Sequence, residues 1–597
     1  MNYIRLPSRP QTRDIIDTFL GYDRNQRTAD GAFREMHNLS SDLYPMLSPR
    51  KKRAAAPDAT EGTTGIVMKD KLCITCGTAF YHGDTRIDMG LSDGPKQLVS
   101  MGAYVIILPD RKYINTADLS DWGDIDRSFH TEGETHIYPC RANGEEINEY
   151  YGPDEPQDPA DQSYWINTSE YPNTLYQWSA VTKTWTKVQA TAVCITSLRI
   201  GEGLSVGDGI TISGFGTHDN YKDHLTGEAL NEEQVKQIRQ LDGTHVVLAC
   251  DRDWISIEGI TDVNVVLSGV ITVERKMPVV DYVVEHNNRL WGCRYGLDAS
   301  GEFVNTLYAS KLGDFRNWNV YRGVDTDSYY ANVGTDGPFT GAISYGYGDC
   351  VLFWKEAGVH AVYGNGPGSF QTEFIACPGV QKGSAGSLAI VDGAVYYKSR
   401  TGVCRYTGSL PDEIGGAFGD VQYQDAVGGS WKHKYYLSMA DPDGFYSLFA
   451  YDTRLGMWHR EDSSHVIGWA DCGDDAWMLL ASGSRYSLAG KDGTKEMAVK
   501  WSAQTGRLGI DHPDRKRLSR INVRLRLDAG SRFRLYIRYD SAGGWIQVCS
   551  LTSEQLRAYD FPLRVRRCDH MELKLEGEGG CEVYAIVKTY RMGSDRK

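Results

Sequence analysis

Three groups of residues in this 597-residue chain have types and spacing that could do chemistry. The first is a set of carboxylates. Asp251 and Asp253 stand one residue apart, on one side of a strand if the segment has period two, and Glu145, Glu146, Glu149, Asp154, Glu155, Asp158 and Asp161 crowd one short polar stretch. Two acids flanking a glycosidic bond are the machinery of most glycoside hydrolases, several of them on propeller scaffolds. Against that reading, the S-x-D-x-G-x-T-W box of sialidase blades is missing, and Pro153, Pro156 and Pro159 break the acidic stretch in the manner of a solvated loop. The second group is Cys73-Ile74-Thr75-Cys76, a CxxC with no second CxxC to complete a zinc site, lying in a strand-like segment whose cysteines would face different sides. The third is arginine: Arg520, Arg524 and Arg526, then Arg532, Arg534 and Arg538, alternate with apolar residues, and Arg515, Lys516, Arg517, Arg564, Arg566 and Arg567 flank them. A guanidinium fork suits phosphate or carboxylate. That face reads as lacking the aromatic interleaving that stacks single-stranded bases, which leaves sequence-independent contact with a duplex backbone, an acidic partner or only water. There is no phosphate-binding G-x-x-x-x-G-K-[ST], no H-E-x-x-H and no G-x-S-x-G.

These groups have to be positioned by strands. A phrase of apolar-aromatic strand, turn and polar residues closing on tryptophan recurs at Tyr113–Trp122, Leu307–Trp318 and Leu448–Trp458, with a weaker copy at Leu175–Trp185. Asp349–Gly364 and Asp392–Tyr406 align as two further hairpins, each a strand, a glycine turn and a returning strand. A hairpin unit cannot bury its aromatic face alone and stacks on copies of itself, so the chain reads as an all-β protein built on a β-propeller of about six to seven blades.

The rhythm divides the chain. Residues 1–60 read as an extended arm, interrupted by Pro7, Pro10, Pro45, Pro49 and Pro57, with a short helical candidate at Asp30–Met36 and a basic linker at Arg50-Lys51-Lys52-Arg53. An arm of this kind commonly wraps a neighbouring subunit. The first blades occupy 61–122. An inserted region follows at 123–279, with a small β-domain at about 190–279 containing a short helix around Asn231–Gln240. The remaining blades occupy 280–495, and 496–597 form a C-terminal antiparallel β-sandwich whose alternating arginines leave one sheet face polar.

The formal charge of −14 is unevenly spread: from Trp501 onward there are 19 Lys/Arg against 12 Asp/Glu, a net of +7, which leaves −21 on the body. Thirteen cysteines, most of them alone in apolar strands, predict reduced thiols from a cytosolic assembly environment. No apolar run approaches a signal peptide or a membrane span, so the reading is of a soluble protein made inside a cell.

The phrase Asp30–Arg50 resembles the opening of structural proteins from bacteriophage tail regions, and Leu307–Trp318 is similar to the blade motif of phage tail-nozzle and head-to-tail stabilisation proteins. Leu204–Gly214 followed by Leu241–Val247 resembles a β-module recurrent in phage structural proteins. The resemblance implies a non-enzymatic virion component made in the bacterial host cytoplasm: a ring, commonly a hexamer, continuing the DNA channel below portal and adaptor and meeting tail fibre or tail-tip proteins. It implies passage of double-stranded DNA without sequence specificity, no membrane segment, and neither metal nor cofactor. In that setting Glu145, Glu146, Asp154, Glu155, Asp158 and Asp161 would form an acidic lumen loop, and Arg524, Arg526, Arg534 and Arg538 a basic contact face. The alternative, on the same fold, is a tail-tip propeller that binds a receptor or cleaves polysaccharide.

Overall fold

The computed structural model describes residues 11–56, 62–147, 149–169, 174–224, 226–261, 263–298, 301–512 and 514–592. Among the described residues seven sheets of the blade type follow one another, most of them four strands in simple meander order. They begin at Thr63–Met68, Gln97–Met101, Tyr282–His286, Phe339–Tyr345, Ala389–Val391, Gln424–Trp431 and Val466–Asp471. The fold is thus a β-propeller interrupted by an inserted β-domain and followed by an antiparallel sandwich. The chain packs as two units, one of residues 1–98, 337–362 and 372–597, the other of 99–336 and 363–371.

In the first unit the opening strands of successive blades approach closely, and glycine permits it. A Cβ on Gly468 would lie 2.9 Å from the Ile66 side chain, joining last blade to first, and one on Gly429 would lie 2.0 Å from the Trp469 indole. Gly429→Val is therefore expected to overpack this seam and lower stability by about 1–3 kcal/mol, read from the urea midpoint. In Leu448–Trp458 the tryptophan phrase joins a third strand, Tyr446–Asp452, to a fourth, Met457–Arg460, and Trp458 is buried with its Nε1 donating to Ile414 O at 2.8 Å; in Leu307–Trp318 the tryptophan instead lies in the connection before the fourth strand, Tyr329–Asn332.

The N-terminal segment belongs to this unit and corrects the sequence reading. The strand Ala32–His37 stands where a helix was expected, because Ala32, Phe33 and Met36 reach a buried core while the strand pairs with Lys500–Thr505. Thr12–Ile16 pairs with the last strand, Cys581–Met592, so the arm completes the sandwich of its own chain. Ala54–Ala55 lies between Arg485–Ser487 and Thr494–Lys495 and closes the seventh blade. Arg50–Arg53 is a solvated linker only at Lys51 and Lys52, which are exposed: Arg50 pairs with Glu496, and the Arg53 side chain is 4% exposed and pairs with Glu461 and with Asp462 at 2.5 Å.

The sandwich packs the sheet of Thr12–Ile16, Cys581–Met592, Lys516–Leu527 and Arg557–Cys568 against that of Gly21–Tyr22, Ala32–His37, Lys500–Thr505, Met571–Glu578, Arg532–Tyr539 and Ala542–Leu551. Ile521, Val523, Leu525, Phe533, Leu535 and Ile537 meet in one core.

In the second unit, two blades carry the insertion. A nine-stranded assembly takes strands from Arg127–His130 to Thr272–Arg275, so the small β-domain also recruits Arg127–His130 and Glu134–Cys140, ahead of its expected start near 190. Its helix, Glu232–Arg239, forms where expected and opens on a capping box of Asn231 and Gln234. A separate four-stranded sheet holds Tyr150–Gly152, Tyr164–Asn167, Thr174–Ser179 and Thr184–Lys187, the last two being the weak fourth copy of the repeat.

No helix among the described residues is long and apolar enough to cross a membrane. None of the thirteen cysteines is in a disulfide. Cys73 is buried in the strand Leu72–Cys76, and burial pushes its thiol up to about 12. No group of three metal-ligating side chains occurs among the described residues.

Candidate functional site

The small four-stranded sheet of the insertion has two faces of different character. Cross-strand register puts Tyr150, Trp165, Tyr176, Trp178 and Trp185 on one face. Trp165 stacks on Tyr176 at 5.3 Å and lies 5.7 Å from Trp185, which in turn is 5.4 Å from Trp178. This aromatic cluster stiffens a sheet too small to hold itself flat. The other face carries Ile166 and Leu175, which pack with Ile147 and Ala190.

Between that second face and the nine-stranded assembly lies a cleft of about 1050 Å³. Tyr164 and Gln177 of the small sheet line it, together with Gln189, Leu248 and Glu258 and with Arg141 and Asn143. Arg141 pairs with Glu149 and lies over the Tyr164 ring at 5.5 Å, which fixes the turn against that ring. Arg322 donates to Glu258 at 3.0 Å, and both side chains are about half exposed. Its apolar lining comes from Ala190 and Ala192, which are buried, and Ile260, which is half-exposed. The volume exceeds that of common small-ligand pockets, and its polar lining groups are amides, a carboxylate, guanidinium groups and one phenol ring. Such a lining can hydrogen-bond many hydroxyl groups at once, while its alanines can meet the apolar face of a ring.

The predicted acidic residues divide around this site. Glu145 and Glu146 are exposed in the same turn as Asn143, with Glu146 bridged to Cys140. Asp154, Glu155, Asp158 and Asp161 are exposed in the connection from Tyr150–Gly152 to Tyr164–Asn167, where Asp161 Oδ1 accepts from Ala180 N at 2.7 Å. Asp251 and Asp253 are not paired on a strand face: they flank the tight turn into Trp254–Thr261, where Asp253 accepts from Arg199 N at 2.7 Å. Among the described carboxyls with a resolved shift, all move downward, Asp42, Asp392 and Asp462 among them. None of these is the raised proton donor that a hydrolase pair uses.

The four arginines expected to form one basic face do not share one. Arg524 and Arg526 stand on the outer face of one sandwich sheet and Arg534 and Arg538 on the outer face of the other, because the intervening apolar positions of both strands point into the common core. The second row is also neutralised. Arg532, Arg534 and Arg538 lie directly opposite Glu578, Glu576 and Glu572, and Arg538 Nε donates to Glu572 at 2.5 Å. Arg526 pairs with Glu582. A row read from one strand carries no information about the charges on its neighbour. The cleft had no sequence signal either, since its lining is gathered from segments scattered between Cys140 and Arg322.

No family model matches the chain, and neither does any curated protein. Among solved structures, it is similar to an exo-β-1,3-galactanase from Phanerochaete chrysosporium, at 12% identity and a TM-score of 0.21, over 51% of this chain and 94% of that one. It is also similar to a glycoside hydrolase family 43 arabinoxylan arabinofuranohydrolase from Bacillus subtilis, at 9% identity and a TM-score of 0.20, over 54% and 96%. A third match is the extracellular domain of the one-component system BT4673 from B. thetaiotaomicron, at 8% and 0.19, over 72% and 64%. Two of the three are glycoside hydrolases, and against that finding the expectation of a protein that is not an enzyme is not retained. At these TM-scores the matches assign no activity in its place.

Proposed function

We propose that this chain is a tail-tip β-propeller of a bacteriophage that engages a surface polysaccharide through the cleft of its insertion. The observation that carries the reading is the lining of that cleft, where Asn143, Gln177, Gln189 and the Arg322–Glu258 pair occur together with apolar Ala190 and Ala192. A polysaccharide offers closely spaced hydroxyl groups with few charges, and amide side chains, which both donate and accept, match them. The half-exposed Arg322–Glu258 pair adds charge-assisted donors and an acceptor at one end.

The test is binding of the whole protein to a panel of bacterial surface polysaccharides, with released reducing ends measured in the same samples. Gln177→Ala combined with Gln189→Ala removes two hydrogen-bonding groups worth about 1 kcal/mol each, so affinity should fall roughly 10- to 30-fold with the thermal midpoint unchanged. Absence of binding across the panel, or equal binding by the double variant, would sink the proposal.

The nozzle ring is the second reading, favoured by one observation: the exposed carboxylates of the insertion and the arginines of the sandwich are complementary charges on one chain. A head-to-tail contact between such surfaces generates rings. Electron microscopy of the protein with its tails decides between them, since an axial ring with an open channel supports the nozzle and peripheral density supports the tail tip.

A further inference from the structure

Strand register builds two polar rungs on the outer face of the six-stranded sandwich sheet. His37, Ser502, Glu576 and Arg534 stand directly opposite one another on four adjacent strands. Lys500, Glu578 and Arg532 form the next outward rung on three of those strands, about 7 Å further along. These residues line a pocket of about 460 Å³, within the range of small-molecule sites. Trp501 and Gly577 line it between the rungs. The Trp501 ring is buried in the sandwich core, 6.2 Å from that of Phe533, and a Cβ at Gly577 would lie 2.3 Å from the Trp501 indole, so no long side chain divides the two rungs. The N-terminal segment completes the pocket by supplying His37. Its next residue, Asn38, donates through Nδ2 to Lys500 O at 2.8 Å and accepts from Arg50 Nε at 2.8 Å, which sets the strand Ala32–His37 against the start of Lys500–Thr505.

The lining carries both signs of charge: Lys500, Arg532 and Arg534 against Glu576 and Glu578. Glu576 is also held from outside the pocket, with Lys574 Nζ 2.7 Å from its Oε1. Burial pushes the His37 imidazole below its ordinary value; Asp462 opposes this, and Arg460, Arg50 and Arg53 add to it, so the ring is neutral at pH 7 with one donor and one acceptor. A phosphate or sulfate entering here would meet two glutamates beside the guanidinium groups, and a neutral sugar would leave the guanidinium forks without an anion. A ligand with one carboxylate among several hydroxyl groups answers both sets. Arg532 and Arg534 suit the carboxylate, and the glutamates, Ser502 and His37 suit the hydroxyls. We propose that this pocket binds a sugar acid, either free or as a uronate residue of an acidic polysaccharide. The inference goes beyond the reading of the cleft and does not rest on it, because the two sites share no residue.

The experiment is calorimetric titration of the full chain with galacturonate and its linear trimer, beside galactose and sulfate at matched ionic strength. Galacturonate should bind at least about 10-fold more tightly than galactose or sulfate. Under the proposal, a trimer that gains about 10-fold or more over the monomer assigns the polymer, and a trimer that gains nothing assigns the free acid. Arg532→Gln combined with Arg534→Gln should lower galacturonate affinity at least about 30-fold, since two charge-assisted contacts are lost, with the thermal midpoint within about 2 °C of the parent. Glu578→Gln should weaken binding about 3-fold through loss of a hydroxyl acceptor, whereas a site for simple anions would bind more tightly once that charge is gone. Lys382→Gln with Arg400→Gln, which changes the net charge equally at exposed sites elsewhere, should leave the affinity unchanged. So should Gln177→Ala with Gln189→Ala in the cleft, which keeps failure of the cleft reading distinct from failure of this one. The proposal is overturned by no galacturonate binding at about 10 mM, by galactose or sulfate binding as tightly, or by tighter binding in Glu578→Gln. Equal losses in the two charge-matched variants, or loss of binding in the cleft variant, would overturn it as well.

Discussion

A chain beginning at residue 57 should fail to fold, although the segment it lacks reads in the sequence as a dispensable arm. Ile16, Phe19, Tyr22, Phe33, Met36, Leu39 and Leu47 are all buried in the core shared with the sandwich, Leu39 completely. At about 1.5–3 kcal/mol for each large side chain, their burial contributes more than about 10 kcal/mol. That is comparable to the whole net stability of a typical domain. Truncation also opens three sheets: the partner edges of Cys581–Met592 and Lys500–Thr505 lose their strands, and the seventh blade loses Ala54–Ala55 from its interior. Unpaired edges of that length invite aggregation. The expected result is insoluble protein, or soluble protein without a cooperative thermal transition. A truncated chain that melts cooperatively within about 5 °C of the full one would show that the arm is an accessory after all. Supplying residues 1–56 as a separate chain should restore a transition, because the lost contacts are strand pairings and side-chain burial that need no covalent link.

The same segment shows what was legible in the sequence. Blade hairpins could be read because their information is local: alternation, a glycine turn and a closing tryptophan lie within about a dozen residues, so Leu448–Trp458 and even the weak Leu175–Trp185 landed on paired strands. The helix at Glu232–Arg239 was legible for the same reason, since Asn231 and Gln234 form its cap from within the segment. The strand Ala32–His37 was not, because its partner begins at Lys500, and short-range pattern favoured a helix there. Arg50–Arg53 read as a solvated linker because the acids that bury it, Glu461, Asp462 and Glu496, are more than four hundred residues away. The arginine rows failed in a like manner: period two placed the guanidinium groups outward, but the four arginines read as one face lie on the outer faces of two sheets, and the Arg532–Arg538 row is neutralised by Glu572, Glu576 and Glu578 in another strand. The cleft lies at the far end of this series: the repeat copy that supplies Gln177 marks a strand and not a site, and the volume exists only once two sheets of the insertion face each other.

Arg53→Met should cost about 3–5 kcal/mol at pH 7, measured by urea unfolding, because it leaves buried carboxylates without their cation. Arg53 is 3% exposed and sits between Glu461, itself 3% exposed, and Asp462, while its backbone N donates to Glu496 Oε2 at 3.0 Å. Arg50 reinforces the cluster through a two-pronged contact with Glu496 at 2.7 and 2.9 Å. Burial opposes ionisation of Asp462, but the adjacent Arg53, the Ser464 hydroxyl and backbone N, and Arg50 outweigh it and hold its carboxyl at about 2. Glu496 is shifted in the same direction: burial opposes its charge, and the Arg50 guanidinium and Arg53 backbone overcome that opposition. Since both folded values lie below the unfolded ones, the stability they contribute is present in full above about pH 4–5 and is lost as pH falls through the folded values. Wild-type stability should therefore decline between about pH 4 and pH 2. Without Arg53 the buried Asp462 has little to hold its proton off, so it protonates at higher pH, and the deficit of the variant should narrow over the same interval. A deficit under 1 kcal/mol at pH 7 would place the clamp on the surface energetically, and a deficit that stays constant from pH 7 to pH 2 would mean that Arg53 acts through packing of its stem instead of through its charge.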